Sequence, residues 1–215
     1  MITPTELFTF MAVVLGMFLV PGPAVLLVIT RTAQSGRRTG IATGLGIATG
    51  DLIHTLAAAI GLSALLATSA LAFTVVKLAG AAYLLYLGVR AIMAKPAPEE
   101  ASATQRLVPS MQLVSPLRAY WQAVPAELLN PKTALFFLAF LPQFVHADRS
   151  APFAQFVILG LVFAAMSAVY STLLVFAVGP LGQVLKRLTW LVKWQGKIIG
   201  SIFICLGLKV AMQKQ

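Results

Sequence analysis

Two long apolar stretches of this chain are interrupted by residues that a continuous helix does not accept: Pro21-Gly22-Pro23 in the first, and Asn130-Pro131-Lys132 at the head of the fourth. Proline removes a backbone donor, and its ring clashes with the preceding turn. In hydrocarbon the freed carbonyls and amides have no water to bond, so such breaks survive where they line a cavity or are buried in protein. A pair of them at matching positions of two halves is the mark of broken-helix architectures that hold a solute near the membrane midplane.

The membrane setting follows from composition. Of 215 residues 59% are hydrophobic and 10% charged, against about 25% charged in soluble domains, and the mean hydropathy is +0.90. Several stretches exceed the ~18 apolar residues that suffice to cross a bilayer, and no soluble domain remains once they are drawn. The formal charge of +10 does not point to nucleic acid. Its Lys and Arg residues lie mainly in short loops, as the positive-inside rule collects them, whereas a nucleic-acid surface needs a basic face on a soluble fold. The single Cys205 allows no internal disulfide, and no Cys or His recurs at ligand spacing, so neither a metal nor a cofactor is expected. Met1 to Glu6 carries no basic residue before the apolar run, so no cleaved signal peptide is expected.

The pattern predicts an all-α integral membrane protein of six transmembrane helices. They cover about Leu7–Ile29 (bent at the Pro-Gly-Pro), Ile41–Ala67, Ala70–Met93, Pro131–Val145, Ala151–Val178 and Gly196–Met212, with Ala119–Leu129 as a half-helix or surface helix before the fourth. The whole chain, 1–215, reads as one domain, with repeat one at 1–93, a linker at 94–118 containing four prolines and Glu99-Glu100, and repeat two at 119–215. Lys77-Leu-Ala-Gly80-Ala-Ala-Tyr83 followed by Gly88-Val-Arg90 is echoed by Lys197-Ile-Ile-Gly200-Ser-Ile-Phe203 followed by Gly207-Leu-Lys209. Three spans per half, each opening on a broken helix, predict an inverted 3+3 repeat. Arg31, Arg37, Arg38, Arg90, Lys95, Arg106, Arg118, Lys186, Arg187, Lys193 and Lys197 fall on one face, which is expected to be cytoplasmic with both termini outside. A re-entrant fourth segment gives five spans instead and puts one terminus inside.

Asp51 reads as the only carboxylate deep inside a span. A central Asp costs roughly 2.5 to 3.5 kcal/mol on insertion scales, so it is expected to face a cavity, pair, or hold a proton. His54 follows three residues later on the same helical face, which allows a proton relay with Asp51; satisfaction by a backbone carbonyl is the plainer alternative. Gly40, Gly44, Gly46 and Gly50 form overlapping small-xxx-small patterns suited to close helix packing. After Pro21, Gly22 and Pro23 the chain can restart as a half-helix whose first amides, near Ala24, stabilise a carboxylate, and Asn130 before Pro131 is a cap able to do the same in the second half. Lys132 reads as a substrate contact or as a side chain snorkelling to the interface. Gln143 and the Ser167, Tyr170, Ser171 and Thr172 group are polar enough to line a path.

With these residues in view, the chain resembles the lysine exporter (LysE) family, in its homoserine and threonine resistance (RhtB) branch. The resemblance rests on Pro21-Gly22-Pro23, Gly36-Arg37-Arg38-Thr39-Gly40, Gly46-Ile-Ala-Thr-Gly50-Asp51, Lys77 to Gly88, Asn130-Pro131-Lys132-Thr-Ala-Leu-Phe136-Phe137 and Pro142-Gln143-Phe144. It implies a secondary transporter, not an enzyme, that exports neutral amino acids of the homoserine and threonine type across the bacterial inner membrane, by proton antiport. On that reading the partners are the amino acid, protons and the lipid bilayer, and glycine-rich faces permit a homodimer. The substrate carboxylate would lie near Ala24 and Asn130, and its ammonium near Asp51. Export of a metal or other small ion is the main alternative, and an intramembrane enzyme a weaker one, since no nucleophile motif surrounds His54.

Overall fold

The computed structural model describes residues 2–19, 22–93, 113–146 and 151–178, with isolated positions between 197 and 208. Pro21, most of the linker and most of the sixth expected span lie outside them. Among the described residues every regular element is helical.

Helix α1 (Pro4–Leu19) is started by a capping box. The Thr3 amide donates to Glu6 Oε2 at 2.7 Å, the Glu6 amide donates to Thr3 Oγ1 at 3.3 Å, and Pro4 takes the first turn, where a missing N–H costs nothing. The chain restarts as α2 (Pro23–Ser35), its axis bent from that of α1 by 59°. The expected single bent span is therefore two helices. Gly36, at φ +83°, turns α2 into α3 (Arg37–Thr68), and this left-handed backbone is why glycine stands there. Helix α3 begins four residues earlier than the hydrophobic pattern indicates, because Arg37 to Gly40 are polar or small yet follow directly on that turn. Helix α4 spans Ala70–Met93.

Ser115 caps α5 (Pro116–Leu128), which starts inside the expected linker boundary at 118. Asn130 caps α6 (Pro131–Ala139), bent from α5 by 52°. The fourth span does not run on to Val145 as one α-helix. Pro142 cannot supply the next amide, and residues Leu141–Phe144 tighten into a 3-10 turn. Helix α7 (Pro152–Ala177) completes the described elements. Two stretches, Arg37–Leu65 and Pro152–Ala177, are each long and apolar enough to cross a membrane, and the α1–α2 and α5–α6 pairs pass the same test as bent units.

Helix α3 is the central post. A Cβ on Gly44 would stand 2.7 Å from that of Ser171 on α7, whereas one on Gly46 would meet the Tyr120 carbonyl at 2.5 Å, and one on Gly50 the Glu127 Cβ at 2.7 Å, both on α5. Glycines on two sides of one helix thus let two neighbours approach at backbone distance. The main hydrophobic cluster lies to one side of this contact, where Phe10 and Phe18 of α1 meet Phe136 and Phe137 of α6 with Phe140 and Phe144 after it, and Phe156 and Phe163 of α7. Its rings pack edge-on or tilted at centroid separations such as 5.3 Å for Phe10–Phe144 and 5.0 Å for Phe137–Phe163.

Substituting Gly46 by Leu forces α3 and α5 apart along a rigid backbone contact. Overpacking of this kind costs about 1–3 kcal/mol or more. Gly46→Leu is expected to lower the thermal midpoint and folded yield in detergent, whereas Gly61→Leu, with open space around that position, is expected to leave both near wild type.

Candidate functional site

Both helix breaks meet at one place, and each is completed by polar groups rather than left open. At the α5–α6 break, Asn130 Oδ1 accepts from the Lys132 amide at 3.1 Å, an N-cap. The other end of the same side chain holds a carboxylate: Asn130 Nδ2 donates to Glu127 Oε1 and Oε2 at 3.3 and 3.2 Å, and to Thr133 Oγ1 at 3.2 Å.

At the α1–α2 break, the last carbonyls of α1 have no following turn to bond. Lys132 reaches across from α6, and its Nζ donates to the Met17 carbonyl at 2.8 Å. A cation at a helix C-terminus also sits at the negative end of the dipole. Lys132 therefore points into the protein and does not snorkel to an interface. Its stem passes over Gly22, where an added Cβ would lie 3.2 Å from Lys132 Cδ. Helix α2 begins beside it with no side-chain cap and with Pro23 at its first position. The Ala24 and Val25 amides are the first donors of that helix, and Leu26 is the first whose amide bonds back, to Gly22, at 3.1 Å.

Between the breaks lies a cavity of about 40 Å³, room for about three water molecules. The α1 end supplies Met17 and Phe18, the α2 start Gly22, Ala24 and Val25, and α3 Ile47 and Asp51; Glu127, Asn130, Lys132 and Thr133 come from the second break, and Phe163, Ser167, Tyr170 and Ser171 from α7. The lining thus combines two carboxylates, the first amides of α2 and an ammonium with side chains that are otherwise mostly apolar or hydroxylic.

Asp51 is 1% exposed and Glu127 2%. Neither Asp51 oxygen meets the geometry of a hydrogen bond, although Glu127 and Ser167 are its facing polar groups. Asp51 is thus not the one deep carboxylate of the chain. Glu127 was hidden in the sequence because α5 opens with Arg118, Tyr120 and Gln122, polar residues that leave 119–129 open to reading as a surface helix as well as a half-helix. The available signal was its position three residues before Asn130, which puts both on one helical face against the break.

The cavity gathers Gly22, Ala24, Asp51, Asn130 and Lys132 from the sequence-derived candidates. Pro23 and Pro131 occupy the first helical positions and shape the breaks without lining the cavity, and Pro21 lies outside the described residues. His54 Nε2 lies 3.2 Å from the Glu127 backbone carbonyl, and its ring stacks on Phe137 at 5.6 Å, which is the plainer of the two readings of this residue, a contact with a backbone carbonyl. Of the hydroxyl group on α7, Thr172 bonds back to the Ala168 carbonyl at 2.8 Å and the other three line the cavity. Gln143 belongs to the 3-10 turn.

This chain belongs to the LysE type translocator family, whose model matches residues 15–214. It is 33% identical over 210 residues to an uncharacterized membrane protein of Pseudomonas aeruginosa, covering 96% of this chain and 95% of the relative. It is 30% identical to an uncharacterized membrane protein of Bacillus subtilis, covering 96% and 99%, and 27% identical to a leucine efflux protein of Salmonella choleraesuis, covering 95% and 93%. No solved structure matches it. Apolar helices and membrane-protein relatives together establish a multi-pass membrane protein.

Asn130 does two jobs that substitution can separate. Asn130→Ala removes both the cap and the donor to Glu127, whereas Asn130→Asp keeps a good cap and sets a second acceptor against Glu127. Leaving a buried carboxylate without its donor costs about 1–3 kcal/mol. Both variants are expected to lower the thermal midpoint in detergent, and Asn130→Asp to fare no better than Asn130→Ala.

Proposed function

We propose that the chain exports neutral amino acids from the bacterial cytoplasm across the inner membrane in exchange for protons. The observation that carries this reading is the meeting of opposite charges at one cavity, which Asp51 and Glu127 line together with the α2 amino end and Lys132. A zwitterion needs both. Its ammonium fits the acidic pair, and its carboxylate the Ala24 and Val25 amides at the positive end of α2. The Asn130 end is the wrong place for the carboxylate, because its donor already serves Glu127. Sequence reasoning shared the carboxylate between the Ala24 and Asn130 ends; the presence of Glu127 moves it to the first alone.

The apolar part of the lining, Met17, Phe18, Ile47 and Phe163, favours an aliphatic side chain over a charged one. Relatives named for leucine efflux agree with that preference, and homoserine or threonine stay within reach of the hydroxyls of Ser167 and Ser171. Alternating access by rocking of two inverted halves is the motion that suits this architecture. The order of elements supports such a repeat, running in each half from a bent pair to a long helix. Arg31, Arg37, Arg38 and Arg118 lie at the shared end of α2, α3 and α5, tied there by the Arg31 Nη2 to Gln122 Oε1 bond of 2.8 Å, and the positive-inside rule makes that end cytoplasmic.

In cells loaded with a panel of dipeptides, expression is expected to raise the release of leucine and similar neutral amino acids and to leave lysine release unchanged. In inverted vesicles Asp51→Asn is expected to abolish proton-driven uptake. Release of divalent metal but of no amino acid would overturn this assignment in favour of an ion exporter.

A further inference from the structure

The buried cluster holds two carboxylates and one ammonium, and the two carboxylates are not equivalent. Both Glu127 oxygens accept from Asn130 Nδ2, and Lys132 is anchored nearby by the Met17 carbonyl. Asp51 is as deeply buried, yet neither of its oxygens meets hydrogen-bond geometry. Tyr170 is the other titratable group at the cavity, and His54 turns to the Glu127 backbone carbonyl.

We infer that Glu127 is the standing negative charge of the site and Asp51 the exchanging one, so that each cycle carries one proton inward per amino acid exported and moves one net charge across the membrane. This rests on the export reading and extends it to stoichiometry and electrical character. On the outside a proton from water binds an Asp51 oxygen as the substrate ammonium leaves. With Glu127 negative and Lys132 positive, the returning carrier is then neutral. On the inside that proton passes back to water, and the ammonium of a zwitterion takes its place between the two carboxylates. The substrate adds no net charge, so the outgoing carrier bears one negative charge. The proton that entered is the only species left displaced with charge.

The test uses the full chain in proteoliposomes with equal pH on both sides and radiolabelled leucine. Counterflow without any gradient establishes transport; its absence for every neutral amino acid overturns the export reading and this inference with it. An inside-positive potassium diffusion potential is then imposed with valinomycin. The expected result is leucine accumulation inside, the steady-state ratio rising about tenfold for each ~59 mV. Counterflow without a response to potential overturns the inference together with the proton exchange proposed above and leaves amino-acid export itself standing, and so does a response that requires sodium. Asp51→Asn is expected to lose the potential response. Glu127→Gln keeps the shape and an acceptor for Asn130 but loses the charge; it is expected to raise the leucine KM at least tenfold at unchanged folded yield, with partial recovery in Glu127→Asp. A wild-type KM in Glu127→Gln overturns the role given to Glu127.

Discussion

A helix that stops inside a bilayer must find partners for its last carbonyls within the protein, because the hydrocarbon offers none. Here the partner for the first break comes from the second. Lys132 sits two residues past Asn130 and reaches the Met17 carbonyl, so the requirement that ends α1 also draws the two bent pairs together. The cavity is a by-product of that meeting. Two helices that end and two that begin around one point cannot fill it with side chains as a continuous bundle would. The residues that close the gaps, Asn130 and Lys132, are the ones left facing the space.

The rest of the fold serves to hold that point still. Glycines on α3 bring α5 and α7 to backbone distance, which fixes Asp51 opposite Glu127 and Ser167. The phenylalanine cluster between α1, α6 and α7 packs one side of the breaks. His146 Nε2 and Glu6 Oε1 pair at 3.4 Å and join the start of α1 to the segment that follows α6. Ser35 Oγ accepts from the Val114 amide at 3.1 Å and ties the beginning of α5 to the end of α2.

Much of this was legible in the chain because apolar length, proline and glycine act locally. Pro23 and Pro131 announce helix starts, Asn130 announces a cap, and a carboxylate at Asp51 in an apolar run announces a cavity. What was not legible depends on which helix lies against which. Glu127 sits in a segment whose polar neighbours Arg118, Tyr120 and Gln122 left it open between half-helix and surface helix, and only the approach of α5 to Gly50 turns it inward. His54 and Asp51 share a face by spacing, and the contact His54 makes, with Phe137 and the Glu127 carbonyl, depends on the arrival of other helices. Lys132 could as well have pointed outward. The Met17 carbonyl that holds it lies 115 residues away in sequence, beyond the reach of any local pattern.

The crossing of Lys132 over Gly22 carries a consequence for how such chains diverge. A lysine stem 3.2 Å from where a Cβ would stand couples two positions that belong to different halves of the chain. Residue 22 stays bare while residue 132 is long. A lineage that placed a side chain at the first would have to shorten the second and find another donor for the carbonyl at position 17. The two positions have therefore lost the freedom to drift independently, and the imprint should be read as covariation between positions 22 and 132 among relatives.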